Sequence, residues 1–188
     1  LWIMFPMVGS LDDIRRAKEF VREAKAQLDK EGVPYSPDVK LGIMIEIPSI
    51  ALIADLAAQE VDFASIGTND LIQYSTAVDR MNPEVSKYYQ SYHPGVFRLI
   101  GMAVEAFNKA GKPISVCGEM GGDPLAASVL VGLGMNKLSM GLASVARMKK
   151  VLSGLTMEKA RHMAQLARTL PTAADVEAAL KKELEQLL

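Results

Sequence analysis

The stretch from Val61 to Arg80 (VDFASIGTNDLIQYSTAVDR) constrains the fold of this chain more than any other. Its apolar start, residues 61–66, is typical of a buried strand in a parallel sheet, because both faces carry small or apolar groups. Gly67 permits a sharp exit from that strand, and a helical segment follows as far as Arg80. A strand that leads directly into a helix is the repeating unit of α/β proteins, so we expect the same alternation in the rest of the chain.

Four other segments continue this alternation. Further strands are predicted at residues 1–8, 41–47, 112–117 and 137–140. Helices are predicted from the N-cap Ser10 to about Glu31, from the N-cap Ser49 to about Gln59, and over residues 95–109, 124–131 and 144–152. Two more helices follow at 157–168 and 172–187, the second capped by Thr172. Five parallel strands with right-handed crossovers make either an open doubly wound sheet or five-eighths of a (β/α)8 barrel, and the pattern alone does not choose between them.

The composition excludes several classes of protein. Lysine and arginine (21) nearly balance aspartate and glutamate (22), so nothing electrostatic supports nucleic-acid binding. No apolar run approaches the ~20 residues of a membrane span. The single cysteine excludes an intramolecular disulfide and fits a reducing compartment, so a cytoplasmic location is expected. Because Leu1 already lies in a predicted strand, we expect the chain to be a fragment of a longer protein.

Polar residues collect at the carboxyl ends of the predicted strands, where α/β proteins bind ligands. Glu46 interrupts the apolar strand LGIMIEIPS, and Asn69 and Asp70 follow the next strand. A buried carboxylate needs a cation or strong donors as partner, since burying it unpaired costs several kcal/mol. Glu46 and Asp70 together suit Mg2+, which takes a couple of carboxylates and completes its shell with water and substrate oxygens. A structural salt bridge from Glu46 to a lysine or arginine is the alternative.

Two further residues have a structural and a functional interpretation. Cys117 is either a small buried hydrophobe or a thiol that acts as nucleophile or acid–base group; its position before Gly118 and the GEMGGD turn favours the second. Arg80 is either a surface charge or a clamp for a phosphate or carboxylate. His93 is interpreted as a helix-entry residue, and no cluster of cysteine and histidine supports a zinc site.

Five motifs, in matching order, resemble the phosphoenolpyruvate-binding barrel of the Enzyme I family, the phosphoenolpyruvate–protein phosphotransferases of the sugar phosphotransferase system. They are IMFPM, GIMIEIPS, DFASIGTNDLIQYSTAVDR, HPGVFRLI and ISVCGEMGGDP. The resemblance extends from Trp2 to about Leu152. It implies an α/β fold of the (β/α)8 TIM-barrel type, with the last five β/α units in residues 1–153 and C-terminal helices in residues 154–188.

The resemblance also implies a site and its chemistry. Glu46 and Asp70 would hold Mg2+, and Asn69, Asp70 and Arg80 would bind the substrate, with Asn69 and Arg80 on the phosphate of phosphoenolpyruvate. Cys117 would be the catalytic acid that protonates the methylene carbon as pyruvate forms. The segment Met140–Ser144 differs from the serine-rich sequence that is usual in the family, which leaves Ser144 without an assigned role.

The family's partners complete these expectations. The phosphoryl group passes to a histidine on a separate N-terminal domain and then to the phosphocarrier HPr, so the fragment is expected to be inactive alone. The family forms homodimers through this barrel domain. Two alternatives are a piece of a pyruvate, phosphate dikinase or phosphoenolpyruvate synthase, and a non-catalytic assembly module whose exposed sheet edges promote self-association.

Overall fold

The computed structural model describes residues 1–185, which contain one parallel sheet of four strands. The strands are β1 (Trp2–Phe5), β2 (Lys40–Ile45), β3 (Phe63–Gly67) and β4 (Ile114–Cys117), and they lie side by side in that order. A doubly wound sheet reverses its strand order at a switch point, whereas the strands of a barrel follow the sequence. The observed order therefore favours the barrel type. Four strands leave the sheet open, so a closed barrel stays a prediction.

Helices follow every strand, as predicted, and also close the described part of the chain. Those within residues 1–185 are α1 (Leu11–Glu31), α2 (Pro48–Leu52), α3 (Ala54–Glu60), α4 (Thr68–Thr76), α5 (Pro94–Lys109), α6 (Pro124–Gly132), α7 (Leu142–Gly154), α8 (Met157–Thr169) and α9 (Ala173–Glu185). Within the same residues, none of the helices combines the length and apolar character that crossing a membrane requires.

The predicted caps of the first and last helices are confirmed. The Ser10 hydroxyl accepts a hydrogen bond from the Asp13 amide at 3.2 Å, and the Asp13 carboxylate accepts one from the Ser10 amide at 2.9 Å, which is a capping box. Gly32 ends α1 in the left-handed conformation. Thr172 caps α9 by accepting a hydrogen bond from the amide of Asp175 at 3.1 Å. The predicted end of this helix at Leu187 lies outside the described residues.

Predictions for several elements were wrong. The single helix predicted from Ser49 to about Gln59 is divided at Ile53 into α2 and α3. The fifth strand at 137–140 is reduced to a single bridge between Leu138 and Val116, because the chain enters α7 only a few residues later. Ser49 does not cap a helix: Pro48 occupies the first turn, where its fixed φ suits a helix start, and the N-cap is Ile47. The Ser49 hydroxyl instead donates to the Gly9 carbonyl at 2.7 Å.

The two faces of the sheet differ in kind, because side chains alternate along each strand. One face is apolar and packs against helices, notably α5. It carries two rows in register, which are Ile43, Ala64 and Ile114, and then Ile45, Ile66 and Val116. The opposite face carries Ser65 and Ser115 in one row and Gly67 and Cys117 in the next. The hydrophobic core therefore occupies the first face, and the second carries these polar groups together with Met44, which is paired with Ser65, and Phe63.

Candidate functional site

The predicted site residues follow β2, β3 and β4 at the same edge of the sheet. Gly67, the last residue of β3, is paired with Cys117 in β4. On its other side Gly67 contacts Glu46: a Cβ added at this glycine would lie 2.7 Å from Glu46 Oε2. Asn69 and Asp70 come two and three residues later, in the first turn of α4. The structure thus brings Glu46 and Cys117 to either side of the turn that carries Asn69 and Asp70.

Glu46 is a buried carboxylate, with 4% of its surface exposed. Its Oε1 accepts a hydrogen bond from the Met7 amide at 2.7 Å. Within residues 1–185, no lysine or arginine nitrogen lies within 4.0 Å of the carboxylate, so the salt-bridge alternative is not realised. Oε2 has no hydrogen-bond partner in this part of the chain and must reach the surface, since no fully buried polar side-chain atom there lacks a partner. This free oxygen fits a cation.

Met7 adopts a strained backbone conformation when it makes that hydrogen bond. Its φ of 56° lies in the left-handed region, which costs a residue with a side chain roughly 1–2 kcal/mol. Such strain persists only where the surrounding structure compensates for it. The Glu46 carboxylate, which accepts from the strained residue's N–H, supplies that compensation. We infer that the loop after β1 is shaped to hold the Glu46 side chain in place.

Arg80 reaches the site because α4 ends earlier than predicted. The helix ends at Thr76, and Ala77 takes the left-handed conformation with φ 52°. The chain then turns back, and the Arg80 amide donates to Gln73 Oε1 at 3.0 Å. This places one guanidinium nitrogen 3.7 Å from Asp70 Oδ1, with 36% of the arginine side chain exposed. The guanidinium also lies beside the Tyr89 hydroxyl. Because a guanidinium carries five N–H donors, these two neighbours leave donors for an anionic ligand.

Asn69 is held by two contacts. Its Oδ1 accepts a hydrogen bond from the Glu119 amide at 3.2 Å, and its carbonyl accepts one from the Tyr89 hydroxyl at 3.3 Å. Burial raises the pKa of Tyr89, and the neighbouring Arg80 guanidinium lowers it in part. Tyr89 could not be predicted from the sequence, because the segment around it shows neither periodicity nor a motif. Within residues 1–185 the amide nitrogen of Asn69 has no acceptor, so it remains available as a donor.

Cys117 lies half-buried on the polar face of the sheet, as its functional interpretation requires. Its Sγ accepts a hydrogen bond from Ser65 Oγ at 3.3 Å and donates to the Ile66 carbonyl at 3.5 Å. The Thr68 hydroxyl donates to the Cys117 carbonyl at 3.1 Å and so ties β4 to the start of α4. His93 is a helix-entry residue as predicted, since its Nδ1 accepts from the Gly95 amide at 3.0 Å.

The carboxylates do not form a metal cage by themselves. Residues 1–185 contain no group of three or more histidine, cysteine, aspartate or glutamate side chains that could hold a metal ion. Mg2+ needs fewer protein ligands than that, because it usually keeps several waters and binds through one or two carboxylates plus substrate oxygens. Glu46 with its free Oε2 and the partly exposed Asp70 therefore fit this ion.

Tyr92 anchors the loop on the other side of the site. Its hydroxyl donates to the carboxylate of Asp123, which also caps α6 by accepting from the Leu125 amide at 3.1 Å. Burial, followed by the Asp123 carboxylate, raises the pKa of Tyr92, so the hydroxyl keeps its proton. The contact joins the loop before α5 to the turn that follows Cys117.

Replacing Tyr92 with phenylalanine is expected to lower the free energy of unfolding by about 1–2 kcal/mol, because a partly buried carboxylate loses a donor. Urea denaturation followed by circular dichroism would measure the change. Tyr88→Phe is the matched control, since the Tyr88 side chain is 54% exposed, and we expect it to change stability by less than about 0.5 kcal/mol. Equal losses in the two variants would contradict this role of Tyr92.

Comparison with known proteins identifies close relatives. The family described as "PEP-utilising enzyme, PEP-binding domain" matches residues 1–157. A phosphoenolpyruvate-protein phosphotransferase of Priestia megaterium is 50% identical over 156 residues, which cover 83% of this chain and 27% of the relative. The proteins of the same name from Bacillus subtilis and Staphylococcus aureus are 44% and 45% identical; they match 97% and 93% of this chain, and 32% and 30% of their own lengths. The chain thus spans about three tenths of these relatives.

A solved structure supports the fold alone. The crystal structure of a citrate lyase from Burkholderia xenovorans superposes with a TM-score of 0.53 at 18% sequence identity. The match covers 98% of this chain and 62% of that one. At this identity the likeness concerns the arrangement of strands and helices and not the chemistry of the site.

Proposed function

This chain belongs to the family of PEP-utilising enzymes, as their PEP-binding domain, and on that premise we propose that it binds phosphoenolpyruvate with Mg2+ for a phosphoenolpyruvate–protein phosphotransferase. The observation that carries the proposal is the buried Glu46, whose Oε2 has no partner within residues 1–185. It lies at the same edge of the sheet as the Asp70–Arg80 pair. A cation held by protein carboxylates, together with an arginine, suits an anionic ligand that carries both a phosphate and a carboxylate group.

The proposal assigns residues 1–188 to the C-terminal portion of a phosphoenolpyruvate-binding barrel. Its β/α units occupy residues 1–153 and its terminal helices residues 154–188. The chain spans 27% to 32% of the relatives, and we propose that the histidine that accepts the phosphoryl group lies in the remainder of a longer protein. That remainder would also dock HPr. Cytoplasmic location and homodimer formation through this domain are parts of the same proposal.

The proposed reaction divides between phosphoryl transfer and protonation. The bond between phosphorus and the enol oxygen breaks, and phosphorus forms a bond to a histidine nitrogen. Mg2+, when bound by Glu46 and Asp70, supplies positive charge against the substrate's anionic oxygens. Arg80 and the Asn69 amide donate hydrogen bonds to the phosphate. Cys117 gives its proton to the methylene carbon of the enolate, which yields pyruvate and a thiolate that regains a proton from water.

Replacing Arg80 with alanine is expected to weaken Mg2+-dependent phosphoenolpyruvate binding by about 10- to 100-fold. Hydrogen bonds to charged groups contribute about 1.5–3 kcal/mol, and 1.4 kcal/mol corresponds to a factor of ten. Calorimetric titration of phosphoenolpyruvate into the chain would measure it. Arg22→Ala is the control, because Arg22 lies beside Leu41 at the opposite end of β2. Unchanged affinity in Arg80→Ala would contradict the proposed role of this arginine.

A further inference from the structure

The proton donor proposed above has a neighbour that neither the sequence motifs nor the comparisons assign. We propose that Ser65 is a positioning residue for Cys117. The Ser65 hydroxyl donates a hydrogen bond to the sulfur and stabilises the thiolate that remains after proton transfer. The proposal rests on the proposed function, in which Cys117 is the acid. It goes beyond that function by naming the group that makes the thiol ready to lose its proton.

The geometry orients the thiol by two contacts. Ser65 Oγ donates to Cys117 Sγ at 3.3 Å, and Sγ donates to the Ile66 carbonyl at 3.5 Å. When the S–H bond rotates from the carbonyl toward a substrate carbon, the contact from Ser65 persists, because it is made to a lone pair of the sulfur. Ser65 as a whole is 7% exposed, so little water reaches this contact.

The Ser65 hydroxyl has one acceptor in the described part of the chain, and it is the sulfur. Ser115 shows the contrast. It is paired with Ser65 in the sheet register, on the same face, but its hydroxyl donates to the Ala64 carbonyl at 3.4 Å. A hydrogen bond to an ionised acceptor is roughly twice as strong as one to a neutral group. The contact from Ser65 therefore strengthens as Cys117 loses its proton, which is the differential stabilisation that catalysis requires.

Charged groups at this edge of the sheet include the Asp70–Arg80 pair and two further carboxylates. Glu46 Oε2 lies against Gly67, which is paired with Cys117, and Glu119 lies two residues after Cys117. All the variants below leave these charged groups in place.

Alkylation of Cys117 by iodoacetamide, measured as a function of pH, tests this proposal. The chain has one cysteine, so the rate reports this thiol alone. In Ser65→Ala, we expect the pH at half-maximal rate to rise by about one unit, which makes alkylation at neutral pH about tenfold slower. A change in exposure alone alters the limiting rate and leaves that pH in place. Ser115→Ala is the matched control, with an unchanged profile expected.

A second pair of variants separates the hydroxyl from packing at this position. Threonine and valine have nearly the same shape and differ in a hydroxyl against a methyl group. Ser65→Thr is expected to keep the profile of the unmodified chain, and Ser65→Val to shift it as Ser65→Ala does. Identical profiles in this pair, or no shift in a folded Ser65→Ala, would overturn the proposal.

The same samples distinguish this inference from the proposed function. The alkylation assay needs neither phosphoenolpyruvate nor an accepting histidine. A shifted profile in Ser65→Ala, together with phosphoenolpyruvate affinity equal to that of the unmodified chain, supports both proposals. A shifted profile in a chain that binds no phosphoenolpyruvate would leave the coupling of Ser65 to Cys117 standing and would refute the proposed function.

Discussion

Glu46→Gln is expected to abolish Mg2+-dependent binding of phosphoenolpyruvate while the chain stays folded. Glutamine keeps the shape of the side chain and an oxygen for the Met7 amide, which donates to Glu46 Oε1 at 2.7 Å. It removes the negative charge at Oε2, the atom proposed to face the cation. Removing a group that hydrogen-bonds to a metal ligand typically lowers metal affinity 10- to 100-fold. Removing the ligand itself should therefore lower the affinity by more than about 100-fold.

Calorimetric titration of phosphoenolpyruvate, with and without Mg2+, measures this effect. The unmodified chain should bind in the presence of Mg2+ and lose affinity in its absence. Glu60→Gln is the control: Glu60 pairs with Arg15 and Lys18 and precedes β3, so it lies at the other end of the sheet. Its affinity should equal that of the unmodified chain. If Glu46→Gln bound phosphoenolpyruvate with the affinity of the unmodified chain, Glu46 would not be a ligand of the metal.

The melting temperature of the same variant adds a second test. A buried carboxylate without a counter-ion is costly, and Glu46 has no cationic partner within residues 1–185. Glu46→Gln should therefore melt at a higher temperature than the unmodified chain when Mg2+ is absent. A carboxylate retained for stability would give the opposite sign. The combination of lost binding and gained stability is the signature of a functional group, since such groups are kept at the expense of stability.

Local chemistry allowed much of the fold to be predicted from sequence. The bounds of α1 follow from its Ser10 cap and from Gly32, both of which act within one turn of the chain. Glu46 and Asp70 could be placed near each other for a more general reason, since the carboxyl ends of parallel strands lie at one edge of a sheet. Neither inference needs knowledge of how distant segments pack.

The contacts that complete the site depend on how the strands are paired and on the conformation of individual turns. The pattern of apolar and polar residues in the sequence determines neither. Ser65 meets Cys117 because β3 and β4 pair with Gly67 opposite Cys117, and a shift of one residue would send every side chain to the other face. Arg80 returns to Asp70 because Ala77 takes a left-handed conformation that alanine rarely adopts. The predicted strand at 137–140 had the right composition, but α7 begins too soon for it to extend.

Helix α6, which follows the turn after Cys117, packs against α8. Helix α6 begins at Pro124, directly after its N-cap Asp123 and that turn, and six consecutive residues from Leu125 to Leu130 are buried. A helix that is apolar on every side must be enclosed by other elements. Small residues on α8, namely Ala160, Ala164 and Ala167, let the two helices approach closely. The two helices approach closely at Gly132, where an added Cβ would lie 1.9 Å from the carbonyl oxygen of Ala160.

Gly132→Ala is therefore expected to destabilise the fold more than the other substitutions considered. The obstacle is helix backbone, which cannot move aside as a flexible side chain can, so α6 and α8 must separate. Overpacking of this kind costs about 3 kcal/mol, which lowers the melting temperature of a chain this size by about 10 °C. Thermal denaturation of Gly141→Ala provides the control, because nothing lies within 4 Å of its added methyl and its φ is −61°. If Gly132→Ala and Gly141→Ala had the same melting temperature, the contact between α6 and α8 at Gly132 would not be a rigid one.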